Sequence, residues 1–245
     1  MWKGFVFENE KFDYPSVQTT KSVVFCTTPR CGSNMLCFSL IKTGLLGVPL
    51  EYFNHVQSMN AFQKRISDSG SVYDYMNALL QMRTTPNGVF SMKIHHHQFR
   101  RVLKLAPIHE VLPNCKYVYL HRRDKIRQAI SAFIAYKTDQ WFSINPNLPK
   151  VEVEYEFADI KNNLMEIVQS QKGWGEFFKQ YKQQPLIMYY EDMIQDFPAA
   201  IKKLFAYLQI EYDESQIPNI PYTQSQSSNR NEIWKQRFSA ELKNC

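Results

Sequence analysis

Short apolar runs alternate along the chain with longer segments of helical periodicity. The runs rich in β-branched and aromatic residues predict four strands, at residues 22–28, 88–94, 115–121 and 185–193. The segments with apolar residues three or four positions apart predict helices, at 34–42, 71–84, 124–138, 159–181 and 196–210. Gly44 is placed to end the first of them. This alternation favours an α/β fold with a mainly parallel sheet and helices on both of its faces.

The size of the chain suits one domain. Its 245 residues, 44% hydrophobic and 21% charged, are enough to bury a substantial core. We therefore predict a single domain over 1–245, in which residues 1–20 form an N-terminal extension. The net charge of +6 suits an anionic small molecule as well as a nucleic acid, so it separates neither class of ligand.

Cysteine use and hydropathy bear on location. The cysteines number five and form no C-x-x-C pair, which argues against a zinc site or a disulfide framework and favours reduced thiols. The N-terminus lacks the apolar core of a signal peptide, and no apolar run approaches the ~20 residues of a membrane-spanning helix. These features predict a cytoplasmic protein with no transmembrane segment.

The first predicted strand ends in Thr-Thr-Pro-Arg-Cys-Gly-Ser, directly before a helix. A helix N-terminus offers unpaired backbone N–H groups to an anion. Gly32 allows close approach of the backbone, Ser33 offers a hydroxyl, and Arg30 offers a fixed positive charge. The lysine of the usual P-loop, G-x-x-x-x-G-K-[ST], is missing. The alternative is an ordinary strand-to-helix turn with a surface arginine.

A second basic turn follows the third predicted strand. Arg122 and Arg123 stand at the end of this strand, and Arg127 and Ser131 share one face of the next helix. Taken alone, these residues fit a solvated helix start with local charge pairs. Two anion sites at the ends of two strands, however, could hold both ends of a doubly phosphorylated nucleotide.

Together the motifs resemble those of one enzyme family, the bacterial trehalose 2-sulfotransferases and their lipopolysaccharide-sulfotransferase relatives. The resemblance runs from about Val23 to Phe238. Six segments keep the order and approximate spacing of the family: CTTPRCGSNMLCFSLIKTG, PLEYF, TPNGVFSMKI, HRRDKIRQAISAFIAYKTDQW, KGWGEFF and NRNEIWKQRF. It implies a P-loop-like sulfotransferase fold and 3′-phosphoadenosine-5′-phosphosulfate (PAPS) as sulfuryl donor, without a metal. It also implies a carbohydrate or glycolipid hydroxyl as acceptor, and a homodimer.

The resemblance assigns the first basic turn to the donor. Arg30, Gly32, Ser33 and Asn34 resemble the loop that binds the 5′-phosphosulfate. Arg30 is also expected to act in catalysis, by offsetting charge on the sulfuryl and leaving phosphate oxygens. Cys31 stands where the family usually has serine, so this contact would rest on the backbone N–H alone.

The second turn and the C-terminus resemble the part that holds the 3′-phosphate. Arg122 and Ser131 match the residues that grip this phosphate, and Arg123 stands where the trehalose enzyme has proline, which leaves open which arginine acts. Arg230, four residues before Trp234, matches a segment that closes over the nucleotide, here 225–245.

Three further residues are candidates for catalysis. Glu51 matches the proposed general base of the family, which would accept the proton of a sugar hydroxyl; the alternative is a loop carboxylate in an ion pair. Lys93 matches a lysine near the sulfuryl group, or is a solvated residue at a strand end. One histidine of the run 95–97, with His97 favoured, is an alternative base. The run 95–97, expected on an extended segment, would point its rings to alternating sides, which argues against a metal site.

Two tryptophans and two longer segments bear on the acceptor pocket. Trp141 and Trp174 fit either the core or a platform for a sugar ring. Residues 58–85 and 142–155 are expected to shape the acceptor pocket.

Two other functions compete with the sulfotransferase. A P-loop kinase or nucleotide hydrolase is disfavoured by the missing lysine and by the lack of a clear magnesium ligand, since Asp124 sits among basic residues. A nucleic-acid-binding module is disfavoured because the basic stretches lack interleaved aromatic residues.

Overall fold

The structure of the protein is a computed structural model, which describes residues 10–54, 71–141, 151–222 and 229–244. The strands of the described chain are β1 (Lys21–Thr27), β2 (Val89–His95), β3 (Cys115–His121) and β4 (Leu186–Tyr189). The α-helices are α1 (Ser33–Thr43), α2 (Val72–Arg83), α3 (His96–Leu103), α4 (Ile108–Val111), α5 (Lys125–Thr138), α6 (Phe157–Gln180), α7 (Tyr190–Gln195), α8 (Phe197–Leu208) and α9 (Asn229–Lys243).

The four strands form one parallel sheet in the order β2-β1-β3-β4. β1 is central, and its Phe25 lies opposite Lys93 of β2 and Val118 of β3. In a parallel sheet the carboxyl ends of all strands share one edge, which is where ligands of open α/β sheets bind. The ends of β1, β2 and β3 therefore bring the two predicted basic turns and the histidine run to the same edge.

Alternate residues of β1 build cores on the two faces of the sheet, as the two-residue period of a strand requires. Val24 and Cys26 pack in a core with Trp174 of α6. Val23 and Phe25 pack in a second core with α1 and α8. The α/β fold with helices on both faces is thus confirmed.

The predicted strand 185–193 is wrong over its second half, because the chain turns into α7 at Tyr190. The carboxylate of Glu191, in the first turn of α7, accepts hydrogen bonds from the backbone N–H of Arg123 at 3.0 Å and of Asp124 at 3.2 Å. This contact with the turn after β3 is made across the sheet. It leaves no signal in the local pattern of residues 190–193.

The histidine run is also not extended as expected. β2 ends at His95, and the next two histidines begin α3. The backbone N–H of His95 donates to Oε1 of Gln98 at 2.9 Å, a hydrogen bond typical of a helix start. The three rings therefore diverge from a strand end into a helical turn.

Gly173 and Gly175 do not interrupt α6, which runs unbroken over 24 residues. A Cβ built on Gly173 would lie 2.0 Å from Cε1 of His96, so the missing side chain makes room for this ring. The next residue, Trp174, is fully buried, and its indole N–H donates to the carbonyl of Thr27 at 3.0 Å. α6 is thereby attached to the carboxyl end of β1.

We predict opposite effects of the two Gly→Ala changes in α6. Gly173→Ala forces a methyl group into the ring of His96, and such overpacking typically lowers the free energy of unfolding by about 1–3 kcal/mol. At Gly175 a Cβ meets no atom of the described residues within 4 Å, so Gly175→Ala is expected to raise it by about 0.5–1 kcal/mol. Urea unfolding measures both, and a stability equal to the parent for Gly173→Ala would contradict the close packing.

Candidate active site

The loop between β1 and α1 adopts a backbone suited to an anion. Arg30 and Gly32 both have positive φ, 61° and 88°. A Cβ on Gly32 would lie 2.6 Å from Cδ2 of Tyr190, so only glycine fits here. Gly32 is the N-cap of α1 and has no side chain to bond the first backbone N–H groups of this helix. The loop therefore presents a helix N-terminus of the kind that binds phosphate and sulfate groups.

Helix α5 holds this loop in place. Nε2 of Gln128 donates to Oγ1 of Thr28 at 2.8 Å and to the carbonyl of Pro29 at 2.6 Å. Gln128 was not among the predicted site residues; its position three residues before Ser131, on the same helix face, was the signal available. Cys31 is fully buried, and burial raises the pKa of its thiol, so this residue stays neutral and adds no charge to the loop.

The two predicted anion sites meet directly at Arg30. Nε of Arg30 donates to Oγ of Ser131 on α5 at 2.9 Å, and its Nη1 donates to the carbonyl of Trp141. Arg122 in turn donates to the carbonyl of Arg30 at 3.4 Å. Burial and the neighbouring Arg122 lower the pKa of Arg30 to about 10, which leaves the guanidinium charged at neutral pH.

The structure distinguishes the two arginines at the end of β3. The Arg122 guanidinium stacks 4.7 Å from the ring centre of Tyr190, beside the loop. Its buried Nε has no hydrogen-bond partner within the part of the chain that is described. Arg123 is half exposed and turns the other way, with Nη2 donating to Oδ2 of Asp192 at 2.9 Å. Arg122 is thus available to an anion at the loop, whereas Arg123 already has a carboxylate partner.

Arg230 lies in the first turn of α9, which packs against α5. Its guanidinium is 5.3 Å from the ring centre of Trp234, and its buried Nε likewise has no hydrogen-bond partner among the described residues. Lys235 of the same helix bonds Asp124 at 2.7 Å. Residues 225–228 and residue 245, parts of the predicted closing segment, lie outside the described residues.

A second group of polar side chains surrounds Glu51. Oε1 of Glu51 lies 2.7 Å from Nζ of Lys93, which also donates to Oδ1 of Asn34 in α1. Nε2 of Gln98 donates to Oε2 of Glu51 at 3.2 Å. Lys93 is only 4% exposed, which excludes a solvated lysine at a strand end. Burial opposes ionisation of Glu51, but the charges of Lys93 and His95 outweigh it and lower its pKa to about 2.

The segment that carries Glu51 is fixed by backbone contacts on both sides. The N–H of Lys93 donates to the carbonyl of Leu50 at 2.9 Å, and the hydroxyl of Tyr75 donates to the carbonyl of Tyr52 at 2.8 Å. The carboxylate is therefore held at the end of β2 and does not lie on a free loop.

The histidine that contacts this group is His95, whereas the residue favoured from the sequence is His97 of the same run. Its Nε2 is 3.6 Å from Oε1 of Glu51, and its Nδ1 is 2.7 Å from Oγ1 of Thr27. Burial lowers the pKa of His95 to about 4, although Glu51 opposes this shift. His97 has an exposed side chain on α3, with its ring centre 5.8 Å from that of His95.

The two tryptophans have different environments. Trp174 belongs to the core, whereas Trp141 is partly exposed and lies edge-on to Tyr136, with ring centres 4.7 Å apart. Of the regions expected to shape an acceptor pocket, 58–70 and 142–150 lie outside the described residues.

The described residues contain neither a metal-binding cluster nor a helix suited to a membrane. No cluster of three or more histidine, cysteine, aspartate or glutamate side chains in 10–54, 71–141, 151–222 and 229–244 could hold a metal ion. In the same ranges, no helix combines the length and the apolar character needed to cross a membrane.

The chain is similar to known sulfotransferases. The chain is 25% identical to the trehalose 2-sulfotransferase of Mycobacterium tuberculosis (strain ATCC 35801 / TMC 107 / Erdman), over 87% of this chain and 92% of that protein. It is 19% identical to the trehalose 2-sulfotransferase of Mycolicibacterium smegmatis (strain ATCC 700084 / mc(2)155), over 85% and 91%. A solved structure, mouse sulfotransferase SULT7A1 complexed with PAP, is 17% identical with a TM-score of 0.43 and covers 87% of this chain and 68% of that one.

The model of the Stf0 sulphotransferase family matches residues 22–241. This range contains the loop after β1, the group around Glu51, and Arg122, Ser131 and Arg230. The prediction of a sulfotransferase is therefore confirmed, and the chain belongs to the Stf0 sulphotransferase family.

Proposed function

We propose that the protein transfers a sulfuryl group from PAPS to a hydroxyl group of a carbohydrate or glycolipid, without a metal. The observation that carries this proposal is the contact of Arg30 with Ser131, which joins two anion sites at one sheet edge. The relatives named trehalose 2-sulfotransferase support a carbohydrate acceptor. The homodimer and the cytoplasmic location expected from the sequence stay predictions.

The residues present fit such a donor. The glycine cradle and the N-terminus of α1 suit a 5′-phosphosulfate. The Nε atoms of Arg122 and Arg230, which have no hydrogen-bond partner among the described residues, suit the oxygens of a 3′-phosphate. Ser131 offers a hydroxyl that already contacts Arg30. When bound, PAPS supplies a sulfuryl group on a good leaving group, the 5′-phosphate. The chain's own contribution is to position this group and to balance charge.

Lys93 takes the place of the lysine that the loop lacks. It comes from β2 and reaches Asn34 at the start of α1, so its ammonium lies beside the anion-binding loop. A buried cation here stabilises negative charge that develops on the sulfuryl oxygens and on the leaving phosphate.

Removal of the acceptor proton is the remaining task, and we assign it to the group around Glu51. This carboxylate lies next to Lys93 and His95 and is held by Gln98. It either accepts the proton or stabilises the cation that forms when a neighbour accepts it. Both roles require the charge of Glu51.

Calorimetry with 3′-phosphoadenosine 5′-phosphate (PAP), AMP and magnesium–ATP tests the donor site. We expect preference for PAP, and Arg122→Ala should weaken PAP binding by about tenfold to a hundredfold, since hydrogen bonds to a charged group contribute about 1.5–3 kcal/mol. AMP binding should change little, because AMP lacks the 3′-phosphate. Arg123→Ala is the matched control, expected within about threefold of the parent.

Two results would contradict this assignment. Greater loss of PAP binding in Arg123→Ala than in Arg122→Ala would exchange the roles of the two arginines. Tighter binding of magnesium–ATP than of PAP would instead favour a kinase or nucleotide hydrolase.

Glu51→Gln tests the carboxylate in transfer. With sulfur-radiolabelled PAPS and trehalose as acceptor, we expect kcat to fall at least about tenfold, because the charge is lost, while the Kd of PAP is unchanged. Glu211→Gln, at an exposed carboxylate, is the control and should match the parent. Unchanged turnover in Glu51→Gln would remove this residue from the mechanism.

A further inference from the structure

We infer that Nε2 of His95, rather than the carboxylate of Glu51, receives the proton of the acceptor hydroxyl. The inference rests on the proposed sulfuryl transfer and names a catalytic residue within the same site. It is carried by the hydrogen-bonding capacity of Thr27, by the position of Nε2, and by the contacts that occupy Glu51.

The hydroxyl of Thr27 fixes the tautomer of His95. This hydroxyl has one proton, and it donates it to the carbonyl of Ile94 at 3.0 Å. We therefore assign the proton of the 2.7 Å contact between Oγ1 of Thr27 and Nδ1 of His95 to the ring. A neutral imidazole protonated at Nδ1 has its lone pair at Nε2. His95 is thus held with its basic nitrogen away from β1.

This basic nitrogen is directed toward the carboxylate. Nε2 of His95 and Oε1 of Glu51 are 3.6 Å apart, and neither carries a proton when the ring is neutral and the acid ionised. Two acceptor atoms that face each other do not attract. The arrangement becomes favourable once Nε2 is protonated, because the imidazolium then lies beside a negative charge.

The contacts of Glu51 make it the weaker base of the two. Its Oε1 lies against the ammonium of Lys93, and its Oε2 accepts from Gln98, so donors already occupy both oxygens. Although burial opposes this shift, the charges of Lys93 and His95 lower the pKa of Glu51, which weakens this carboxylate as a base. The charged and titratable groups around His95 shift its pKa in opposite directions. Glu51 raises the pKa of His95, whereas Lys93 and His97 lower it.

Sulfuryl transfer forms one bond to sulfur, breaks another and moves one proton. The acceptor oxygen forms a bond to sulfur while the bond from sulfur to the bridging phosphate oxygen breaks, and the electron pair of that bond leaves with PAP. The hydroxyl proton passes to Nε2 of His95. Glu51 offsets the new positive charge, and the proton is then released to water.

His95→Asn removes the basic nitrogen and keeps an amide that can donate to Thr27. We expect kcat for trehalose to fall by about 10²–10⁴-fold, the usual contribution of a general base, with the Kd of PAP within about threefold of the parent. In His95→Ala, added imidazole should restore part of the lost turnover, which a structural role of the ring does not predict. His97→Asn carries the same change on the neighbouring exposed histidine.

Three outcomes would overturn the inference. One is a kcat for His95→Asn within tenfold of the parent while Glu51→Gln loses more. Another is loss of turnover in His97→Asn with His95→Asn active. The third is a protein that neither binds PAP nor transfers the sulfuryl group, which rejects the proposed function as well; PAP binding by the parent separates this case from the first two.

Nitrogen NMR of labelled histidine tests the tautomer without turnover. The His95 signals are identified by their absence in His95→Asn. At neutral pH we expect a neutral ring with the proton on Nδ1. A proton on Nε2 instead would overturn the inference, since the lone pair would then point to Thr27.

Discussion

The buried ammonium of Lys93 is the constraint around which the site is built. A charge that is 4% exposed is tolerated only when opposite charge and hydrogen-bond acceptors surround it. Glu51 and Asn34 supply both, and they come from different segments, one after α1 and one at its start. Pairing this single cation therefore fixes β2, the N-terminus of α1 and the carboxylate of Glu51 in one arrangement.

The arginines at the same sheet edge differ from one another in their partners. Arg123 is matched by Asp192 and Arg127 by Glu232, through carboxylates of α7 and α9. Arg30 and Arg122 instead bond hydroxyl and carbonyl groups or stack on a ring. Neutralisation of the outer arginines concentrates positive charge where the loop can use it.

Elements with a recognisable local pattern of residues could be predicted from the sequence. Elements that depend on contacts between residues far apart in the chain could not. The strands and long helices were recognised from apolar periodicity, and Lys93 and Glu51 from a family resemblance. Helix α7 was missed because Glu191 is held by backbone groups of the turn after β3. The choice of His95 over His97 depends on Thr27 and Glu51, which are 68 and 44 positions away in the sequence, so spacing could not reveal it.

Tyr190 has a consequence that reaches beyond packing. Its ring touches the space where a Cβ of Gly32 would stand, and it supports the guanidinium of Arg122. One aromatic ring thus limits the loop to glycine at position 32 and supports the Arg122 guanidinium, so a substitution of Tyr190 would disturb the loop backbone and a basic side chain at once.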